Sequence, residues 1–176
     1  MYESILKYKL KRYYRNHSRE KNFLNLKDIH TILVLFDTAH FHETSVCIHQ
    51  LKALGKEVTA YACRKRKDKQ DYSGAGYHIL SQKTTGKWFG NPVDTIAKEL
   101  EQVTFDAVID LTVHRNIPLE YLLAHTHASV KAGLKKNDFP QYDLSIIDLP
   151  KMETESLQVA ELGKQILYYL DVIHTQ

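Results

Sequence analysis

The chain has 176 residues, of which 43% are hydrophobic and 26% charged, and its formal net charge is +3. A chain of this length suits one globular domain that folds without disulfide or metal staples. It contains neither an apolar run long enough to span a membrane nor the apolar segment of a secretory signal, so we expect a cytoplasmic protein.

Positive charge is concentrated in the first 28 residues. They hold eight Lys or Arg against three Asp or Glu, a net charge of +5, and residues 29–176 therefore sum to −2. Residues 2–15 are predicted to form an amphipathic helix, because apolar side chains recur there at helical spacing. These are Ile5, Leu6, Leu10, Tyr13 and Tyr14. We therefore divide the chain into a basic helical arm, residues 1–28, and an α/β domain, residues 29–176.

Strand and helix patterns alternate through the rest of the chain. Strands are predicted at residues 29–36, 58–62, 77–80, 105–111, 128–134 and 143–149. Helices are predicted at residues 46–54, 93–103, 118–123 and 155–173, the first ending at Gly55 and the last with Leu157 facing inward. Residues 64–76 and 84–92 are predicted loops. This alternation predicts a three-layer α/β sandwich, Rossmann-like or flavodoxin-like, with a mainly parallel central sheet.

Two cysteines, Cys47 and Cys63, lie in apolar contexts without a CxxC spacing. We expect both to be reduced core residues, and the sequence leaves a disulfide open.

Three short apolar runs within the predicted strands are each followed by an aspartate. The three residues are Asp37, Asp110 and Asp148. The carboxyl ends of parallel strands share one edge of a sheet, and ligands bind in the crevice outside that edge. We therefore expect these carboxylates to mark a binding or catalytic face.

The loop after the first strand holds candidate metal ligands. His40 and His42 lie there with Asp37 and Glu43, and imidazole combined with carboxylate suits zinc, iron or manganese. The alternative is a pair of surface histidines beside the start of a helix. No spacing fixes a further ligand, so both interpretations stay open.

A second cluster follows the strand at residues 105–111. Asp110 is a candidate base or ligand, and His114 is a candidate proton carrier because histidine titrates near neutrality. Arg115 offers a planar fork for phosphate or carboxylate. In the alternative interpretation, Thr112 caps a helix, Asp110 bonds to the loop and Arg115 is an exposed surface residue.

Sequence motifs of familiar enzyme classes are missing. The chain has no GxGxxG after the first strand, no GxxxxGK[ST] and no GxSxG. This argues against a standard dinucleotide, P-loop or α/β-hydrolase enzyme, and no cofactor class is predicted.

The basic arm has three interpretations. Its candidate contact residues are Lys7, Lys11, Arg12 and Arg15. An amphipathic basic helix can lie on an anionic membrane surface, or its charge can neutralise nucleic-acid phosphates, which we favour less. In the third, the Tyr-Leu-Ile face docks on the domain itself or on a second copy of the chain. We expect residues 1–21 to contact a protein partner or an anionic membrane surface. Contact with a membrane would make the protein a peripheral protein of the inner membrane.

Four segments together carry a family resemblance. They are residues 31–37, 105–111, 128–133 and 142–147, following a basic N-terminal helix. This series resembles a family of small α/β proteins from Bacteroidetes, a domain of unknown function, and the resemblance implies no activity.

A fainter similarity is to the acceptor-side half of glycosyltransferases of the heptosyltransferase type. A "YDxxIDL" strand precedes an "A-x-x-R-x-G" strand in that family, and here Lys131 stands where the arginine would be. The similarity does not extend to a nucleotide-sugar half, so it does not imply a complete transferase.

Two functional hypotheses follow. The first is a binding module that docks through its basic arm on a partner or an anionic membrane. The second is a small enzyme or ligand-binding domain that uses the strand-end crevice for a metal, phosphate or sugar phosphate. In the second, Asp37 and Asp110 hold the ligand, His114 moves a proton, Arg115 fixes an anion and Asp148 adds a carboxylate.

Overall fold

Six strands form one parallel sheet in the order β3-β2-β1-β4-β5-β6, which is the Rossmann order. The computed structural model describes residues 2–17, 21–64, 68–72, 74, 76–81 and 92–173. The strands are β1 Thr31–Asp37, β2 Glu57–Arg64, β3 His78–Ser81, β4 Thr104–Asp110, β5 His127–Leu134 and β6 Leu144–Ile146. The helices are α1 Tyr2–Asn16, α2 Phe41–Ala53, α3 Pro92–Leu100, α4 Ile117–His125 and α5 Glu155–Val172. The predicted α/β sandwich is confirmed, and the strand order makes it Rossmann-like.

Two hydrophobic cores lie on opposite faces of the sheet. Side chains alternate across a strand, so Ile32, Val34 and Phe36 of β1 join the core under α2 and α5, whereas Leu33 and Leu35 join the core under α1, α3 and α4. β1 is buried on both faces, which explains its continuous apolar run.

The basic N-terminal helix packs on the domain. Leu6 and Leu10 of α1 are fully buried in the core that α4 completes, and Lys9 forms an ion pair of 2.8 Å with Asp94 of α3. Ile5, expected on the same apolar face, is instead exposed. Most of the apolar face of α1 is therefore used inside the molecule, as the docked interpretation expects.

Several local predictions are confirmed or corrected. Gly55 follows α2 with φ +76°, a conformation that favours glycine, and both cysteines are buried and not joined in a disulfide. The last strand is shorter than predicted, Leu144–Ile146, and Leu157 is half exposed rather than inward. α5 instead buries the stripe that Val159, Leu162, Gly163, Ile166 and Leu170 share.

Most of the predicted loop at 84–92 and part of that at 64–76 lie outside the described residues.

Within the described part of the chain, no helix has the length and apolar content needed to cross a membrane.

Candidate functional site

A crevice of about 360 Å³ lies at the carboxyl edge of the sheet, beside the neighbouring strands β1 and β4. The strand order reverses at this point, which is where open α/β sheets place their ligands. Its lining includes Lys7, Asp37, His40, Arg64, His114, Arg115, Asn116 and Glu155. We refer to it as the switch-point crevice.

Three helices begin at this crevice. His40 directly precedes α2, Ile117 is the first residue of α4, and Glu155 is the first residue of α5. Each helix amino end carries a partial positive charge and unpaired N–H groups, so an anionic group is stabilised there.

Glu155 joins two histidines across the crevice. His40 Nε2 lies 3.2 Å from one carboxylate oxygen and His114 Nε2 lies 2.7 Å from the other. The hydrogen bond from His114 is the main cause of the lowered pKa of the Glu155 carboxyl. His40 is buried and its Nδ1 lies 3.4 Å from Ser156 Oγ, whereas the His114 side chain is 68% exposed. His114 is therefore the imidazole that an incoming ligand meets first.

Asp37 reaches the crevice through its position at the end of β1. Asn116 Nδ2 donates a hydrogen bond of 2.9 Å to Asp37 Oδ1, while Asn116 Oδ1 accepts one of 3.3 Å from the Leu119 N–H and so caps α4. Asp37 therefore lies in the crevice, and its contact with Asn116 ties the end of β1 to the start of α4.

Arg115 lines the crevice but is already paired. Its Nε and Nη2 donate hydrogen bonds of 2.9 and 2.7 Å to the two carboxylate oxygens of Glu120, whose side chain is only 1% exposed. These hydrogen bonds raise the pKa of Arg115 above its ordinary value. The predicted anion clamp is therefore occupied by a buried carboxylate and is a poor candidate for holding a ligand.

Asp110 lies below the crevice and does not line it. Leu35 pairs with Asp110 in the parallel register, so Asp37 extends two residues further toward the edge. The Asp110 carboxylate accepts hydrogen bonds from Lys136 Nζ at 2.7 Å and from the Tyr142 hydroxyl at 2.6 Å. The predicted base or ligand is instead half of a buried ion pair, which fixes the loop between β5 and β6.

Asp148 and His42 are also displaced from the crevice. Asp148 is exposed, two residues beyond β6, and β6 is three strands from β1, a separation of about 14 Å. His42 is exposed on the first turn of α2, whereas His40 turns inward to Glu155. Among the described residues no group of three or more His, Cys, Asp or Glu is arranged to hold a metal, so the proposed His40–His42 metal site does not form there.

Residues from distant parts of the chain complete the crevice. Lys7 of α1 lies at its mouth, and the exposed Lys11, Arg12 and Arg15 lie further along α1 and do not line it. Glu155 and Arg64 were not among the sequence candidates. Thr154 accepts a hydrogen bond from the Leu157 N–H as an N-cap, so the sequence marks the start of α5 but gives no sign that Glu155 meets His40.

Comparisons with known proteins identify a matching family model and weakly similar solved structures. A family model described as a family of unknown function matches residues 3–173. The glycosyl transferase family 9 structure from Veillonella parvula is 18% identical, with a TM-score of 0.55 over 82% of this chain and 43% of that chain. A probable oxidoreductase from Mycobacterium abscessus has a TM-score of 0.38 at 18% identity, over 76% of this chain and 38% of that one.

The chain thus spans less than half the length of either solved protein, and at this identity the likeness to the transferase concerns the fold alone. No curated protein sequence matches the chain.

Proposed function

The chain belongs to this family of unknown function, DUF6913, and we propose that it is a binding domain whose switch-point crevice holds a small polyol phosphate such as a sugar phosphate. The observation that carries the proposal is the Glu155 carboxylate held between His40 and His114 where three helix amino ends meet. The proposal concerns binding and includes no catalytic step.

The helix amino ends and Lys7 supply the anion-binding part. Backbone N–H groups at a helix start bind phosphate oxygens, and the ammonium of Lys7 adds a full positive charge at the mouth. Arg64, at the end of β2, lines the same crevice and its Nε is buried without a hydrogen-bond partner. A buried donor of this kind is costly unless an acceptor reaches it, and a ligand oxygen would do so.

The carboxylates and imidazoles supply the hydroxyl-binding part. Asp37 and Glu155 accept hydrogen bonds, and a neutral imidazole both donates and accepts, so the lining suits a ligand with several hydroxyl groups. Charges of both signs line the crevice, which disfavours a ligand that carries only negative charge. The sugar part of the proposal rests on these groups and not on the likeness to a glycosyl transferase.

Calorimetric titration with glucose 6-phosphate, glucose and inorganic phosphate tests the proposal. We expect measurable binding of the phosphorylated sugar, weaker binding of either half alone, and loss of binding in His114→Ala and Glu155→Gln. Asp148→Asn is the matched control, because Asp148 is exposed and outside the crevice. Equal binding of glucose 6-phosphate by wild type and Glu155→Gln would reject the proposal. It would also be rejected if wild type bound neither glucose 6-phosphate nor sugar phosphates with a different ring size.

The outer face of α1 supports a second candidate, docking on an anionic membrane surface. Lys7, Lys11 and Arg15 recur every four residues on one exposed side of the helix, and Arg12 lies beside them. Among the described residues none of these four forms an ion pair. Because the apolar face is packed on α4, attachment would be electrostatic and therefore sensitive to salt.

Sedimentation with phosphatidylglycerol vesicles, compared with phosphatidylcholine vesicles, tests this second candidate. We expect binding to the anionic vesicles alone, reversed by salt and lost in the double variant Lys11→Glu/Arg15→Glu. Lys164→Glu, an exposed change on α5, is the matched control. Equal sedimentation with both vesicle types would reject docking on an anionic membrane. Charge-reversal variants that bind the vesicles as wild type does would reject the role of α1.

A further inference from the structure

A second and larger cavity of about 700 Å³ lies between α1 and β5. Thr104 and His127, the first residues of β4 and β5, line it, so it opens at the amino edge of the sheet. The switch-point crevice lies at the carboxyl edge, and the two cavities share no residue. We refer to the second cavity as the β5 groove.

Alternating residues of β5 form the floor of this groove. His127, Ser129 and Lys131 point to the same face of the sheet, because successive side chains of a strand alternate, and all three line the cavity. Tyr13 and Tyr14 of α1 form one wall. Gln141, from the loop between β5 and β6, lies beside Tyr14 in the lining.

The described residues that line the groove include Lys21 and Lys131 but no Asp or Glu. The carboxyl end of α4 also lies here, and such an end carries partial negative charge. Two of its carbonyls are bound within the protein, that of Leu123 by Lys131 Nζ at 2.5 Å and that of Leu122 by Thr126 Oγ1 at 2.8 Å. The exposed ammonium of Lys21 adds positive charge at the mouth.

Gln141 is the unusual member of the groove. Gln141 is only 4% exposed, and its Oε1 accepts a hydrogen bond of 3.3 Å from Asn137 Nδ2. The Tyr14 hydroxyl lies beside the amide and interacts with it, but within the protein Nε2 has no acceptor at full hydrogen-bond geometry. A buried N–H donor without a well-formed hydrogen bond is costly, so an acceptor supplied by a ligand in the cavity would stabilise it.

We propose that the β5 groove is a second ligand site, which takes the phosphate or phosphate-ester group of a small molecule between Gln141 and Lys21. A phosphate oxygen would accept the unused N–H of Gln141, and the Lys21 ammonium would balance the charge. This site is separate from the switch-point crevice, and it does not depend on what that crevice binds.

Nuclear magnetic resonance titration of the ¹⁵N-labelled full chain tests this site. The probes are inorganic phosphate and phenyl phosphate, which distinguish the free anion from an ester. We expect the side-chain amide of Gln141 and the backbone amides of residues 127–131 to shift. A response to both probes assigns the groove to the phosphate group, whereas a response to phenyl phosphate alone assigns it to esters.

Gln141→Leu and Lys21→Glu are the informative variants. Gln141→Leu removes the buried donor together with the acceptor of the Asn137 amide, so we expect these two effects to offset and the variant to fold, while its Kd for phosphate rises about tenfold or more. Lys21→Glu, an exposed change, is expected to weaken binding by reversing the charge, and Lys164→Glu is the matched surface control.

A Glu155→Gln variant separates the two cavities. We expect its groove shifts to equal those of wild type, whatever becomes of the crevice. Shifts confined to crevice residues such as His114, or an unchanged Kd in both Gln141→Leu and Lys21→Glu, would overturn the proposal.

Discussion

The Asp110 carboxylate and the Lys136 ammonium lie 2.7 Å apart, and their side chains are only 1% and 3% exposed. Lys136 Nζ also donates a hydrogen bond of 3.1 Å to the carbonyl oxygen of Thr112, so the ammonium joins the end of β4 to the loop after β5. Two buried charges that satisfy each other hold this part of the carboxyl edge in one geometry.

We predict that Asp110→Asn destabilises the fold by about 3–5 kcal/mol, because the Lys136 ammonium would remain buried without a counter-charge. Urea unfolding followed by circular dichroism measures the change. Asp148→Asn is the control and is expected to stay within about 0.5 kcal/mol, since Asp148 is exposed. If both variants unfold at the wild-type midpoint, the ion pair contributes nothing to stability.

The pH dependence of stability follows from two aspartates. Burial acts to raise the pKa of the Asp110 carboxyl, but the charge of Lys136 and hydrogen bonds from Lys136, Thr112 and Tyr142 outweigh it, and the pKa is lowered. The pKa of Asp106 is lowered chiefly because its carboxylate accepts the Thr31 N–H. A lowered folded-state pKa means that this stabilisation is present above the unfolded-state value, near pH 4, and is lost as the pH falls through the folded-state value.

We therefore predict that stability falls as the pH is lowered below about 5 and that Asp106→Asn makes this fall shallower. Urea midpoints between pH 7 and pH 2.5 provide the measurement. Glu57→Gln, an exposed change at the start of β2, is the comparison and should keep the wild-type slope. A slope in Asp106→Asn that equals the wild-type slope would contradict the assignment.

Gly133 lets the Tyr142 ring lie against β5. A Cβ placed at residue 133 would lie 2.5 Å from Tyr142 Cε1 and 2.8 Å from Cζ. The ring cannot move without losing the hydrogen bond from its hydroxyl to Asp110. We predict that Gly133→Ala destabilises by about 1–3 kcal/mol, measured by thermal unfolding. Gly74→Ala is the control because nothing lies within 4 Å of its Cβ position, and equal effects of the two changes would refute this account.

The N-terminal helix is predicted to contribute to global stability. Leu10 is 1% exposed in the core under α4, so Leu10→Ala should cost about 2–5 kcal/mol in urea unfolding. Ile5→Ala, on the exposed side of the same helix, should cost about 0.5 kcal/mol or less. A separable arm would instead leave the unfolding midpoint unchanged in Leu10→Ala.

Much of the fold follows from local patterns in the sequence. The long apolar run at β1 is buried on both faces, and the apolar spacing of α1 matches Leu6 and Leu10 in the core. The helix stop at Gly55 is also local, because a positive φ favours glycine whatever the tertiary contacts are. The predicted inward position of Leu157 is wrong, because the apolar spacing along α5 does not determine which side of the helix faces the sheet.

The site depended on register and strand order, which the sequence does not contain. Asp37 and Asp110 look equivalent as strand ends, but pairing of Leu35 with Asp110 leaves Asp37 at the crevice and places Asp110 in the core. Asp148 follows the edge strand β6 and is therefore remote. Glu155, 115 residues after His40, reaches it only because α5 begins where β1 ends. The sequence alone thus determined the elements and the edge of the sheet at which the crevice lies. Tertiary packing decided which charges meet there. The residues that meet are far apart in the sequence, and no local sequence pattern indicates that they are in contact.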